Sequence, residues 1–217
     1  MIILIASQKG GVGKSTLATN FVSVLSQQNK DVLLLDADRQ NTSSEWETER
    51  RLLHSDAKRI ACVQKYGAID DTLDDLAKRY EYVIVDAAGR DSEEMRTAML
   101  VCDIVLMPFR PSQADLNTLP TMNEFVRNSR RINPKMIANA VINIAPTNSR
   151  IKEIEQSLML LNGFTDIDLL KTIIYDRKVY RDAYSEGLGV VEMNGRSDSE
   201  IASRNEMLAL VKEVIHG

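Results

Sequence analysis

Cysteine and histidine are scarce in this 217-residue sequence: Cys62 and Cys102 stand apart with no CxxC, and the histidines are His54 and His216. Neither a disulfide framework nor a zinc site of familiar spacing can be assembled from them, and a reduced, cytosolic protein is expected. Long apolar runs are missing too. The opening run Met1–Ile5 has no basic segment ahead of it, and no later run approaches the roughly 18 residues of a membrane span, so neither export nor membrane embedding is expected. A basic excess is also lacking: Lys+Arg number 27 against Asp+Glu 31, a net charge of −4, so any nucleic-acid site must be local. Glycine (10) and proline (5) are few, and no Ser/Gly-rich linker or repeat interrupts the chain, which predicts a single domain over 1–217.

What is present is a recurring alternation. Runs rich in Val, Ile and Leu predict strands at Ile2–Ser7, Val32–Asp36, Ile60–Val63, Tyr82–Asp86, Ile104–Pro108, Ile137–Ile144 and Leu169–Ile174. Helical patterns lie between them at Lys14–Gln28, Thr42–Leu53, Ile69–Tyr80, Ser92–Val101, Thr118–Arg131, Arg150–Leu161 and Glu200–Ile215. Several strands are apolar without period-two alternation, as strands are when helices cover both faces of the sheet. The expected fold is α/β: one doubly wound, mostly parallel sheet with helices on both faces. Trp46 is expected as a half-buried anchor, and Met95, Met99, Met122 and Met159 as core filling.

The first strand runs into Ser7-Gln8-Lys9-Gly10-Gly11-Val12-Gly13-Lys14-Ser15-Thr16, which opens directly into an amphipathic helix. Glycines let successive N–H groups turn inward on phosphate oxygens, and the positive end of the following helix adds attraction for anions. Lys14 is placed to reach the β- and γ-phosphates of a nucleotide, and Ser15 to offer its hydroxyl to Mg²⁺. Lys9, a second lysine in the loop, points outward in this reading, because the backbone amides and Lys14 already surround the phosphates. Two strands end in aspartates, at Asp36-Ala37-Asp38 and at Asp86. The carboxyl ends of parallel strands face one crevice, which puts both near the γ-phosphate. Gly89 to Glu94 follow Asp86 and are expected to act as a γ-phosphate-sensing switch. From Phe125 to Lys152 there is no Asp or Glu, while Arg127, Arg130, Arg131, Lys135, Arg150 and Lys152 form a basic zone on an acidic protein.

The general phosphate-loop pattern GxxxxGK[ST] fails at its first glycine, where Gln8 stands, and KGGxGK[ST] replaces it. This segment closely resembles the deviant Walker A loop of the ParA/MinD class of ATPases, with the small plasmid-type ParA partition proteins nearest. The resemblance implies a P-loop NTPase fold and an Mg²⁺-dependent ATPase, with Lys9, Gly10, Gly11, Val12, Gly13, Lys14, Ser15 and Thr16 binding ATP. It implies that Asp38 positions the lytic water, that Asp36 supports the magnesium shell beside Ser15, and that Asp86 is the Walker B aspartate. Arg39 stands where most members carry proline. Pro108-Phe109-Arg110-Pro111-Ser112-Gln113-Ala114-Asp115 resembles the family's PxxPSxxD-like segment, so Pro111 is expected to flank the adenine and Asn143 to contact the base. Lys9 is expected to reach the partner's phosphates across a two-fold interface, making an ATP-dependent homodimer with Lys9, Lys14 and Asp38 as the catalytic set.

Tyr175 to Ala183 resembles the ParA segment whose basic residues bind duplex DNA without sequence preference, implicating Arg177, Lys178 and Arg181. The resemblance further implies a ParB-type centromere-binding or adaptor partner that stimulates hydrolysis, and a nucleoid-associated cytoplasmic protein that segregates or positions a plasmid, chromosome or protein cargo. The first strand begins at Ile2, which leaves no room ahead of it for a helix-turn-helix, so operator binding is not expected. Two rivals share the fold. A MinD-like membrane-cycling ATPase needs a basic amphipathic tail, whereas Glu200–Gly217 carries mixed charge and the apolar set of a core-packing helix; a metabolic ligase or kinase would show substrate-dependent phosphate release. An iron–sulfur carrier would need interfacial cysteine ligands, which Cys62 and Cys102 do not suggest.

Overall fold

Strand and helix alternate through the chain as β1 (Ile2–Ile5), α1 (Lys14–Gln27), β2 (Val32–Ala37), α2 (Thr42–Leu53), β3 (Ala61–Gln64), α3 (Asp70–Ala77), β4 (Tyr82–Ala87), α4 (Glu93–Met99) and β5 (Ile104–Phe109). Then follow α5 (Gln113–Leu116), α6 (Leu119–Ser129), β6 (Ile137–Ala145), β7 (Asp168–Tyr175), α7 (Lys178–Ser185) and α8 (Asp198–His216). This is a computed structural model, and it describes residues 1–89, 91–147 and 164–217. The helix expected over Arg150–Leu161, with Met159 and the basic residues Arg150 and Lys152, lies outside the described residues.

The seven strands form one sheet in the order β3-β2-β4-β1-β5-β6-β7, every neighbouring pair parallel. Successive side chains of a strand point to opposite faces, and here both faces are dry. Leu4, Leu33, Leu35, Val83, Val85 and Val105 pack on one side with Leu73, Met95, Met99 and Met122 of α3, α4 and α6. Ile3, Ile5, Leu34, Ile84 and Leu106 pack on the other with Leu17, Phe21 and Leu25 of α1, Trp46 of α2, and Met207 and Leu210 of α8. Burial on both faces is why the central strands read as unbroken apolar runs.

All seven expected strands are present to within two residues at each end. Two short helices, α5 and α7, were not expected. Helix α7 buries Val179, Tyr180 and Ala183, spaced one and then three residues apart, which is a helical stripe too short to stand out from its charged neighbours. Trp46 departs from expectation by being fully buried at 1% exposure, its indole N–H donating to the Leu188 carbonyl at 3.3 Å.

The topology sets the site. Strand β1 lies between β4 and β5, and β2 lies beyond β4, so the loop after β1 faces the carboxyl ends of β2 and β4. The register pairs Ile5 with Asp86, and Asp86 with Asp36. The two acidic strand ends are therefore direct neighbours.

Candidate nucleotide-binding site

The loop from Ser7 to Gly13 curls because two of its glycines take left-handed backbone angles, Gly11 at φ 73° and Gly13 at φ 87°. At Gly13 there is no room for a side chain either: a Cβ would lie 2.4 Å from Asn143 Nδ2. That closeness marks a working contact, since Asn143 Nδ2 donates to the Val12 carbonyl at 2.6 Å and so holds the crest of the loop to the end of β6. Asn143 is aimed there by an irregularity. Between Ile142 and Ala145 the β6–β7 register shifts, and Ile144 sits at φ 55°, a left-handed conformation that costs a β-branched residue about 1–3 kcal/mol.

Lys14 opens α1 and is 7% exposed, with Nζ 3.4 Å from the Lys9 carbonyl. Burial lowers its pKa, while Asp86 and Asp38 pull it back up. Gly89, just past β4, closes over this region: a Cβ there would lie 2.8 Å from Lys14 Nζ and 2.9 Å from Gly10 Cα. The expected switch segment thus begins in contact with the loop.

Asp36 and Asp86 are both fully buried. Asp36 Oδ2 accepts from the Ser44 amide at 2.9 Å and Oδ1 from the Asp38 amide at 3.1 Å; burial still pushes its pKa up. Asp86 is pushed up to about 6, first by burial and also by Asp36, against the Ser43 and Ser15 hydroxyls and Lys14. Ser43 Oγ donates to Asp86 Oδ2, and among the described residues Oδ1 has no hydrogen-bond partner. A buried carboxylate with an orphaned oxygen, beside a second carboxylate and the Ser15 hydroxyl, fits the water shell of a hard divalent cation bridging to phosphate. Among the described residues no three His, Cys, Asp or Glu side chains converge, so phosphate oxygens would complete such a coordination sphere.

Asp38 lies at the head of a β-turn. Its carbonyl accepts from the Asn41 amide at 2.9 Å, and its Oδ1 from the Gln40 amide at 3.0 Å. Asn41 then takes φ 57° and starts α2. Arg39, the second residue of the turn, holds its guanidinium 5.3 Å from the Tyr66 ring centroid.

Beside the loop lies a cavity of about 370 Å³, lined in part by Thr16, Asn143, Ile144, Tyr175, Asp176 and Arg177. It lies between the start of α1 and the carboxyl ends of β6 and β7. Pro111 is buried and stands on the segment after β5, near Arg110, which lines the same cavity.

Two groups of expected residues have partners that sequence reasoning missed. Lys9 Nζ pairs with Asp115 Oδ1 at 3.1 Å, and the same carboxylate accepts from the Arg110 amide at 3.0 Å and from its Nε at 3.3 Å. Burial pushes Asp115 up, but the Arg110 amide and the Lys9 ammonium outweigh it and hold the carboxyl below its ordinary value. Arg177 pairs with Glu206 of α8 at 2.7 Å, Arg181 with Asp176 at 2.7 Å, and Lys178 with Asp182 one helical turn on. Arg177, with its side chain only 21% exposed, lines the cavity beside the loop, whereas Lys178 and Arg181 are exposed on the surface. In the basic zone, Arg127 and Arg130 share Asp166. The signal for Asp115 was present, since it is the acidic residue of the PxxPSxxD-like segment; the Glu206 pairing spans 29 residues and has no local signature.

Residues 3–190 match the CobQ/CobB/MinD/ParA nucleotide binding domain. The chain belongs to this family. A relative from Halothiobacillus neapolitanus, Maintenance of carboxysome distribution protein A, is 28% identical over 207 residues, covering 95% of this chain and 94% of that one. Among solved structures, an ATP complex of a Cyanothece McdA variant superposes with a TM-score of 0.78 at 17% identity, covering 99% and 95% of the two chains. The septum site-determining protein MinD from Pyrococcus horikoshii, complexed with Mg-ADP, gives 0.73 at 17% identity, covering 100% and 96%. The seven-stranded parallel sheet and its phosphate loop are therefore those of the MinD/ParA fold.

Proposed function

We propose that the chain is a ParA-type partition or positioning ATPase that hydrolyses ATP to ADP and phosphate with Mg²⁺. Its ATP form is a face-to-face homodimer that binds double-stranded DNA without sequence preference and lets go when a ParB-type partner on the cargo stimulates hydrolysis. The protein then works in the cytoplasm on the nucleoid. The observation that carries the reading is the convergence of Lys14, Asp36 and Asp86 beneath the glycine loop, with the Asp86 oxygen left unpartnered.

In this reading the amides of Gly10 to Thr16 and the Lys14 ammonium hold the phosphates, and Ser15, Asp36 and Asp86 hold the Mg²⁺ shell. When bound, Mg²⁺ supplies charge neutralisation on the phosphate oxygens. Asp38 orients the attacking water. Asn143 and Pro111 border the base, and Asn143 also keeps Val12 in place. Lys9 leaves Asp115 and delivers its charge to the partner's phosphates, acting as an arginine finger does. The carboxysome-distribution relative supports a protein assembly as cargo beside a plasmid or chromosome. The apolar residues Met207, Leu210, Val211 and Val214 of α8 are buried against the sheet, which supports a DNA matrix over a membrane; no helix among the described residues is long and apolar enough to cross one.

The test is fluorescence anisotropy of a random-sequence duplex titrated with the protein in ATP/Mg²⁺, ADP/Mg²⁺ and no nucleotide. The expected result is binding in ATP alone that weakens steeply with salt, as counterion release requires. Absence of binding in every state would discard the nucleoid mechanism.

A further inference from the structure

We propose that Arg39 is a positioning residue for ATP hydrolysis: by lying over the Tyr66 ring it fixes the turn that presents the Asp38 carboxylate to the crevice. The inference rests on the role given to Asp38 above.

The turn from Asp38 to Asn41 is closed by the Asn41 amide on the Asp38 carbonyl at 2.9 Å, with the Gln40 amide on Asp38 Oδ1 at 3.0 Å. Its second position favours proline, whose ring fixes φ in advance and removes disorder from the free chain. Arg39 has no such restraint. Among the described residues its amide makes no hydrogen bond, so beyond the two bonds that close the turn around it the backbone adds nothing to hold this residue in place. The side chain does it instead: the guanidinium sits 5.3 Å from the Tyr66 ring centroid. Tyr66 grips the turn twice, because its hydroxyl donates to Asn41 Oδ1 at the fourth position. The platform is itself anchored. Gly67, at φ 78°, donates its amide to Glu94 Oε1 at 2.8 Å, and the Ile69 amide donates to Thr97 Oγ1 at 3.1 Å, both on α4.

The clamp therefore joins the turn carrying Asp38 to the helix that follows Gly89. Phosphate binding is assigned above to a different segment, Lys9 to Thr16, whereas the ring contact and hydroxyl bond of the clamp lie within the turn. Loosening the clamp should slow the hydrolytic step and leave nucleotide affinity alone.

The experiment combines single-turnover hydrolysis in ATP/Mg²⁺, affinity for a fluorescent ATP analogue, and amide hydrogen exchange at Gln40 and Asn41 in the nucleotide-free protein. The variants are Arg39→Ala, Arg39→Lys, Arg39→Pro, Tyr66→Leu, Arg39→Ala/Tyr66→Leu, Arg39→Pro/Tyr66→Leu and Asp38→Ala. Arg39→Ala and Tyr66→Leu should each slow hydrolysis about two- to fivefold, the size of a lost cation–π contact at an exposed site, with analogue affinity unchanged. Exchange at Gln40 and Asn41 should accelerate in both. Because Tyr66→Leu removes both grips, combining the two should cost no more than Tyr66→Leu alone, and Arg39→Lys should recover part of the loss. Arg39→Pro should restore rate and protection, and in that background Tyr66→Leu should lose most of its effect. Multiplying effects in the Arg39→Ala double variant, unchanged exchange, or an Arg39→Pro as slow as Arg39→Ala would each overturn the proposal. Parental hydrolysis in Asp38→Ala would instead remove the reading on which it rests, while a slow Asp38→Ala beside a fully active Arg39→Ala would remove the clamp alone.

Discussion

Lys9 of the phosphate loop is tied to Asp115, more than a hundred residues further on, by an ion pair of 3.1 Å in which the lysine is 37% exposed and the aspartate 2%. The lysine that the ParA/MinD resemblance sends across a dimer interface is thus restrained within its own chain, and any reach toward a second subunit begins by breaking this contact. Lys9→Ala should abolish the ATP-dependent dimer, read as mass by light scattering. Asp115→Asn keeps an acceptor for the Arg110 amide while freeing the lysine, and should form dimer at lower protein concentration. An unchanged dimerisation curve in Lys9→Ala would reject the trans role.

Asp86 is costly to the folded protein without metal. Its folded pKa, pushed up to about 6, lies above that of an unfolded aspartate, so the native state binds more protons between roughly pH 4 and 6 and loses stability as pH rises through that window. Asp86→Asn removes the buried charge, and in metal-free buffer at pH 7 it should be more stable than the parent by on the order of 1–3 kcal/mol, the difference shrinking toward pH 4. The same variant should lose Mg²⁺-dependent hydrolysis. Urea unfolding at two pH values, beside a phosphate-release assay, reads both effects.

Gly89 is glycine because the loop leaves it no room. Of the atoms a Cβ would meet, Lys14 Nζ ends a flexible side chain and can retreat, but Gly10 Cα at 2.9 Å and Gly10 N at 3.0 Å are backbone. Gly89→Ala should push the phosphate loop out of shape and weaken ATP binding by tenfold or more, about 1.4 kcal/mol, with the melting temperature nearly unchanged. Parental affinity for an ATP analogue would show that the contact is slack.

Away from the nucleotide, Arg50 and Glu192 form a two-pronged pair at 2.6 and 2.7 Å, with side chains 4% and 7% exposed. It fastens α2 to the turn after α7, where Gly187 packs on the Arg50 backbone and Gly189 donates to Glu192 at 2.9 Å. Burial raises the Glu192 pKa, but Arg50 and the Gly189 amide outweigh it and hold the carboxyl below its ordinary value. The stability it contributes is therefore present above the unfolded carboxylate pKa and lost as pH falls through the lower folded value. Glu192→Gln leaves a buried guanidinium without its counter-charge and should cost about 3–5 kcal/mol in urea unfolding at pH 7, with a smaller deficit in acid.

The sheet was legible in the sequence because burial on both faces leaves apolar runs that need no long-range information, and the loop and acidic strand ends were legible because glycine and carboxylate spacing is local. What stayed hidden was contact between distant segments. Asn143 read as a base contact, whereas the contact seen is its amide holding the Val12 carbonyl, beside a bulge that hydropathy does not encode. Lys9 read as pointing outward because Asp115 lies 106 residues further along the chain, with eight strands and helices between them. Arg177 read as one of a basic cluster because charge counting along the sequence cannot see that Glu206 comes from another helix, whereas Asp182 and Asp176, the partners of Lys178 and Arg181, lie within the segment itself.

Those three cations separate into two kinds, and the separation is testable. Arg177 is half-buried against Tyr175, 5.5 Å from its ring centroid, and lines the cavity beside the phosphate loop, so Arg177→Ala should weaken ATP-analogue binding as well as DNA binding. Lys178 and Arg181 are exposed and held only by surface carboxylates, pairs worth about 0–1 kcal/mol that DNA phosphates can displace. Their alanine variants should keep parental nucleotide affinity, lose DNA affinity equally across sequences, and each flatten the salt dependence of binding by about one unit of slope. Titrations of labelled duplex at several salt concentrations in ATP/Mg²⁺, repeated with the fluorescent analogue alone, separate the two behaviours. An unchanged salt slope in Lys178→Ala/Arg181→Ala would move the DNA surface off α7, toward Arg131 and Lys135 in the basic zone after α6.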